Sequence, residues 1–446
     1  MSDTATDGHV EPQAPLPTET PTLEADASSP PRRVLRGLRT LESFGYRDYR
    51  YFFFGALLSN IGTWTQTVAL GWVIYALTRS SSALGIVNFL SGIPIVFLAL
   101  VAGTLVDHTD RRVLLIRAQV LLMLQAVAFA YLNHTGHITI GWIYALTLVG
   151  GIIAALIMPA WQAVIPNLVP RSSLLNAVAL SSAQFNAARF LGPAVTAAIM
   201  AVFAANEDLG ITMVFVINAL SFLFVIYALS VIRPTQVVFD RAEGRSRDAL
   251  TAGLSYVRQN RHVAMHLLTA TVLVIFGMPF MTLLPAIAVD ALGLSGTGYS
   301  GLMGSNGFGA LVGALAVASL PRSVRRESII RDSLFVMALA AIALSFSRSY
   351  ALSSVILVIM GASFLACVSS INTNVQVAVP DHLRGRVMAL YVVAFMGMMP
   401  FGALGFGALG DLIGPMNAVL AGAIVLLGWA VYNALHPRLL CAPGCP

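Results

Sequence analysis

Lysine is missing from this sequence: all 26 basic side chains of the 446-residue chain are arginine. Charge of either sign is scarce. Only 10% of the residues are charged and 57% are hydrophobic, where a soluble domain carries about 25% charged residues. That balance excludes the row of soluble domains that length alone would suggest. Cysteine is scarce too, at three residues, which excludes a disulfide framework. Cys367 lies inside an apolar run and reads as a small packing residue. Cys441 and Cys445, in the tail CAPGCP, lack zinc-site spacing and an accompanying His pair, and read as inert.

Catalytic motifs are also missing. There is no P-loop, no G-x-S-x-G and no H-E-x-x-H, so direct drive by ATP, nucleophile-elbow hydrolysis and zinc proteolysis are excluded. GFGALG (Gly405 to Gly410) fits G-x-G-x-x-G, but it sits in an apolar run. Its glycines are expected to allow close helix contact, not nucleotide binding. No cofactor or metal is expected, and an enzyme is disfavoured because no embedded nucleophile–base pair or metal cluster is visible.

What is present is a succession of long apolar runs. About 20 helical residues cross a bilayer core of about 30 Å. Twelve runs of that kind lie at about 51–77, 83–106, 113–132, 138–161, 174–204, 211–232, 263–289, 298–320, 329–347, 351–376, 387–410 and 414–435. The expected fold class is an all-α polytopic membrane protein with twelve transmembrane helices. Residues 1–50 read as a cytoplasmic N-terminus, disordered over 1–31 because its Pro, Thr, Ser, Asp and Glu cannot bury a core. No basic-then-apolar leader is visible in it, and a basic juxtamembrane stretch runs from Arg32 to Arg50.

The arginines cluster in alternate loops. One side would hold Arg111, Arg112, Arg171, Arg322, Arg325, Arg326, Arg331, Arg384, Arg386, the central segment Arg233 to His262 and Arg438 in the tail; the other holds only Arg79 and Arg348. This is the positive-inside pattern. It places both termini in the cytoplasm and explains the basic balance without nucleic acid; the expected location is the inner membrane of a bacterial-type cell. The chain also looks duplicated. QAVIP (Gln162 to Pro166) and QVAVP (Gln376 to Pro380) close spans 4 and 10, while Arg111–Arg112 and Arg325–Arg326 flank spans 3 and 9; both pairs have the same offset. The expected organisation is a six-helix half at 51–232, a cytoplasmic linker at 233–262, a second half at 263–435 and a tail at 436–446.

The turn GTLVDHTDRRVLL (Gly103 to Leu115) concentrates charge between spans 2 and 3. Charge at the membrane face stays hydrated, and Asp110 is placed to cap the N-terminus of span 3. Gly103, Leu105, Asp107, Arg111 and Arg112 also resemble the turn between helices two and three of the major facilitator superfamily, roughly G-x-L-x-D-R-x-G-R-R. His108 and Asp110 depart from it. IGTWTQTVALGWVIYALTRSSSALG (Ile61 to Gly85), FLGPAV (Phe190 to Val195) and VPDHLRGRVMALY (Val379 to Tyr391) are similar to the enterobactin-exporter-like branch, which includes drug, siderophore and macrolide exporters. The resemblance implies the major facilitator fold. It also implies a gating role for Gly103, Asp107, Arg111 and Arg112, with Asp107 meeting the start of span 11 in the outward-facing state.

Arg189 falls near the middle of span 5, where an Arg costs about 2.5–3.5 kcal/mol on insertion scales. No Asp or Glu occurs at comparable depth. Two readings stay open: Arg189 meets an anionic group of the substrate in a central cavity, or it bonds to helix carbonyls or shifts toward an interface. Ser182 and Asn186 share its helical face. Gly192–Pro193 follows and is expected to kink helix five; it matches only part of the antiporter motif of the superfamily. Asn60, Trp64 and Gln66 of span 1 are the foremost candidates to line the substrate pathway with Asn186 and Arg189. Gln125, Gln162, Asn218, Asn306, Asn372, Asn374 and Gln376 are each expected to bridge helices. The marginal titratable groups are Asp48, Asp290 and Asp411.

The expected function is secondary transport by alternating access, exporting a small organic compound with protons as the exchanged ion. The expected partners are that substrate and the lipid bilayer, and the chain is expected to work as a monomer. Uptake, lipid flipping, or a non-transporting receptor or scaffold are the alternatives.

Overall fold

A computed structural model of the chain describes residues 39–107, 110–232, 246–321 and 324–440. The expected disorder of residues 1–31 and the tail cysteines Cys441 and Cys445 lie outside them, as do the surroundings of Gly103 and the side chains of Leu105 and Asp107. Among the described residues all regular structure is helical. Span 1 is Arg47–Thr78, span 2 Ser81–Asp107, span 3 Arg111–His134, span 4 Ile140–Val164, span 5 Leu174–Val202 and span 6 Glu207–Val231. The second half has span 7 at Arg261–Ala291 and span 11 at Asp381–Ile413. Its other spans are span 8 (Gly296–Ser319), span 9 (Arg326–Phe346), span 10 (Tyr350–Ala378) and span 12 (Pro415–Leu435).

Eleven of these helices are long and apolar enough to cross a membrane. Span 1 falls short of that measure because Asn60, Thr63, Thr65, Gln66 and Thr67 dilute its apolar side chains. It is nevertheless 32 residues long and packs along spans 5 and 6, so it is the twelfth span. Of its polar residues Thr65 is buried and Asn60 and Gln66 half-buried, whereas Thr63 and Thr67 are exposed.

Local chemistry sets several helix starts. Asp110 accepts from the backbone N–H of Arg112 (2.8 Å) and Val113 (3.3 Å), capping span 3 as its position implied. Asn206 does the same for span 6 through the N–H of Leu209 at 3.0 Å. Spans 7 and 11 each widen into a π turn, at Leu273–Gly277 and Val393–Gly397. Pro279 and Pro400 follow these turns. A proline cannot donate to the preceding turn and crowds its carbonyl, and a π turn absorbs that misfit. The stretch expected as a polar linker holds a 14-residue helix, Ser246–Gln259. It is anchored where Tyr256 donates to the carbonyl of Ala378 at 3.1 Å.

The packing is repeated between the halves. Span 2 lies on span 4 and span 3 on span 6; likewise span 8 lies on span 10 and span 9 on span 12. The halves meet chiefly through two antiparallel pairs, span 2 with span 11 and span 5 with span 8. Small residues bring these backbones together. A Cβ on Gly85 would stand 2.6 Å from the carbonyl oxygen of Ala403, and one on Gly407 would stand 2.7 Å from that of Ser81. Gly407 and Gly410 of GFGALG therefore act in helix contact, as expected, whereas Gly405 faces open space. Cys367 is a buried free thiol packed near the carbonyl of Ile330.

Two outcomes follow from this packing. Gly407→Val should wedge spans 2 and 11 apart at a cost of about 1–3 kcal/mol, read as a lower unfolding midpoint in detergent by scanning fluorimetry. Asp110→Ala should cost about 1 kcal/mol by uncapping span 3, measured the same way, and Asp110→Ser should restore most of it.

Candidate functional site

Arg189 projects from span 5 to the line where the halves meet. Its guanidinium carbon lies 5.6 Å from the ring centre of Trp64 in span 1 and 5.7 Å from that of Phe364 in span 10. Nη2 is 3.3 Å from the sulfur of Met281 in span 7 and 3.4 Å from Oδ1 of Asn306 in span 8. Asn306 is itself buried, and its amide donates to the carbonyl of Leu357 at 3.3 Å, which turns Oδ1 toward the arginine. Nε of Arg189 is buried without a hydrogen-bond partner among the described residues. No described carboxylate comes within ion-pairing distance of it. The described acidic residues all sit near helix ends.

The cation is thus met by two ring faces, a thioether and one long amide contact, none of which carries negative charge. Ring faces attract a guanidinium by about 0.5–2 kcal/mol, and two long contacts add little. A charge in low dielectric is costly without a counter-charge. The arrangement therefore leaves the cation without a described counter-charge. The alternative expectation, a guanidinium satisfied by helix carbonyls, does not describe these contacts.

The structure separates the other candidates. Trp64 flanks Arg189 and meets Phe185 edge-on at 6.2 Å. Gln66 is half-buried and tied within the first half, its Oε1 accepting from Asn218 of span 6 at 2.8 Å. Asn186 donates to the carbonyl of Ser182 in its own helix at 2.9 Å. Asn60 is half-buried and has no hydrogen-bond partner among the described residues. Pro193 sits inside a helix that runs unbroken from Leu174 to Val202. Gly192 is where span 1 presses on span 5: a Cβ there would stand 3.0 Å from the N of Thr65, and Thr65 donates to the Gly192 carbonyl at 3.2 Å.

Arg112 of the charged turn has a local task. Nε donates to the carbonyl of Leu229 at 2.6 Å and Nη2 to that of Ser230, closing the end of span 6. The side chain of Asp107, the acid given the gating role with it, lies outside the described residues. Arg384, at the start of span 11, pairs with Asp381 at 2.5 Å and donates to the carbonyl of Gln376 at 3.0 Å. Arg111 is half-buried at the start of span 3. Phe364, Met281 and Phe185 escaped the sequence reading, because apolar side chains inside apolar runs carry no mark of the face they take.

The two ends of the interface differ. At the end bearing Asp290, Trp72 of span 1 stacks on Tyr299 of span 8 at 6.1 Å. Tyr75 of span 1 donates to Asp290 of span 7, and Ser80 donates to Asp411 of span 11 at 2.7 Å. The paired faces of spans 5 and 8 touch as far as Phe190 and Phe308, whose rings are 5.6 Å apart. Beyond that, toward Arg111, the same face of span 5 continues through Phe185, Ser182, Val178 and Leu175, all exposed; Leu175 is 84% exposed. Val312 and Leu315 continue the face of span 8 and are exposed as well. The halves are joined at the Asp290 end, and the exposed stripes lie toward the Arg111 end.

Comparison with known proteins identifies the family and the fold. The family model described as transmembrane secretion effector matches residues 40–439. The chain is 23% identical to the Staphyloferrin A transporter of Staphylococcus aureus (strain NCTC 8325 / PS 47), over 82% of this chain and 90% of that one. It is 25% identical to the multidrug efflux pump Tap of Mycolicibacterium fortuitum, over 86% and 95%, and 22% identical to macrolide efflux protein A of Streptococcus pyogenes, over 83% and 92%. Its fold is similar to that of the nucleoside transporter NupG (TM-score 0.70, 11% identity, 89% of this chain and 100% of that one). It is likewise similar to a bacterial homolog of the human lysosomal transporter Spinster (TM-score 0.68, 13% identity, 89% and 98%). The relatives and structural neighbours are transporters, not enzymes. The chain belongs to the transmembrane secretion effector family of major facilitator superfamily transporters.

Proposed function

We propose that the protein exports a small organic anion from the cytoplasm by rocking its two six-helix halves about Arg189. The observation that carries this reading is the guanidinium itself: contacts from both halves converge on it, and no described carboxylate neutralises it. A binding group reached from both halves is what alternating access needs, because either half can swing while the ligand stays held. The surrounding Trp64, Phe364 and Met281 suit an anion carried on an apolar body. The arginine-rich loops put the Arg111 end in the cytoplasm and both termini with it, so the described pose opens inward. The names of the efflux relatives support outward movement. With no nucleotide-binding motif in the sequence, protons moving inward are the proposed driving ion, and the inner membrane of a bacterial cell is the proposed location. The site is complete within one chain, which supports a monomeric unit.

Everted vesicles test this. Anionic compounds should accumulate in the parent under a pH gradient and stop accumulating when nigericin collapses it. Arg189→Ala should lower transport of anionic compounds by about 10- to 100-fold, the worth of a charge-assisted hydrogen bond, and leave neutral compounds nearly unchanged. Arg189→Lys should fall between, because a point charge replaces a planar fork. Equal transport of anions by Arg189→Ala and the parent would remove the anion site.

A further inference from the structure

Spans 2 and 11 run antiparallel, so each brings its C-terminal end to the other's N-terminal end. At the Asp290 end, Asp411 lies two residues before the end of span 11 and sits over the start of span 2. It accepts from the backbone N–H of Ser81 at 2.6 Å and of Ser82 at 3.0 Å, and from the hydroxyl of Ser80 at 2.7 Å. These two N–H groups belong to the first turn of span 2, where no intrahelical partner exists, and the positive end of the helix dipole favours a carboxylate there. A carboxylate of one half thus caps a helix of the other. Gly407 and Gly85 make the approach possible.

A second carboxylate grips the same loop. Asp290, near the end of span 7, accepts from the hydroxyl of Tyr75, and Nη1 of Arg79 lies 3.9 Å from it. Arg79 has φ +48°, in the left-handed region. That conformation turns the chain sharply out of span 1 and sets Ser80 to Ser82 facing the second half. An L residue rarely takes it without a constraint. Tyr75, Arg79, Ser80, Ser81 and Ser82 are five members of one short loop region, and two acids from the other half hold them.

The grip is built to let go. Asp411 is exposed, so water can take over its contacts as it leaves. Ser80 remains as the cap of span 2, since its hydroxyl also accepts from the N–H of Ala83 at 3.2 Å. The helix start therefore survives release.

We propose that Asp411 and Asp290 form a release clasp: they hold the loop between spans 1 and 2 in this pose and lose it when the halves rock. Asp411 then acts, at the opposite end of the same helix pair, as the counterpart of the turn carrying Asp107. The inference rests on the rocking invoked under the proposed function. It adds an element that sets how often the Asp290 end opens.

Double electron–electron resonance on the full chain in nanodiscs tests it, with Cys367, Cys441 and Cys445 replaced by serine. One label pair, Leu77→Cys with Leu412→Cys, reports the Asp290 end. A second, Leu175→Cys with Leu315→Cys, reports the other end. Asp411→Asn should raise the separated population of the first pair by at least roughly threefold, the lower range for exposed charge-assisted hydrogen bonds, with the second pair drawing together in step. Asp290→Asn should shift both in the same direction, and Asp332→Asn, a charge change remote from the clasp, should shift neither. Wild-type ratios in both Asp411→Asn and Asp411→Ala overturn the clasp, and so does an equal shift in Asp332→Asn. If the clasp fails while Arg189→Ala still loses anion transport, the proposed function stands without it. A single distance at each end under all conditions overturns the rocking and the clasp together.

Discussion

A guanidinium held at the seam of two helical bundles, with aromatic faces around it and no described acid in reach, is the interaction on which the proposed transport depends. In water such a charge would be unremarkable. In a low-dielectric interior it is tolerable only where ring faces, a thioether and a polarised amide blunt its cost, and the Arg189 surroundings supply just those groups. The partial compensation matters. Full pairing with an internal carboxylate would have made Arg189 a structural pin, whereas partial pairing leaves it a positive centre with capacity for a further partner. Its contacts come from spans 1, 7, 8 and 10, so whatever binds there touches both halves at once.

The halves themselves are held by contacts of unequal kind. Around Arg189 the union is close backbone packing of span 8 on span 5 at Gly307. Toward the Asp290 end it becomes polar, with carboxylates on hydroxyls and backbone N–H groups. Toward the Arg111 end the same helix faces are exposed. Backbone packing guides a movement, and polar contacts near water are cheap to exchange. That division is the one the proposed rocking requires.

The charged turn shows how a single motif serves two purposes. Asp110 caps span 3 and Arg112 closes span 6, so part of the turn is ordinary helix chemistry within one half. The resemblance to the superfamily turn had weighted these residues toward gating. Among the described residues the polar contacts between spans 2 and 11 lie at the other end of span 2, where a sequence search for that turn would not look.

The sequence by itself determined the solvent, the number of spans, the duplicated plan and the helix ends. Each of these depends on local composition: long apolar runs, arginines in alternate loops, a repeated proline or arginine pair, an Asp before a helix. It also marked Arg189, because a lone charge at that depth is visible without a partner. Only the tertiary structure decided what surrounds it. Gln66 resembled a pathway residue and turned out to bridge span 6; Phe364 and Met281 resembled every other apolar residue and turned out to face the cation. Asp411 looked marginal and turned out to join the halves. The physical reason is common to all of them: inside a bilayer every face of a helix is apolar, so periodicity no longer tells inside from outside, and orientation passes to the neighbours a helix happens to meet.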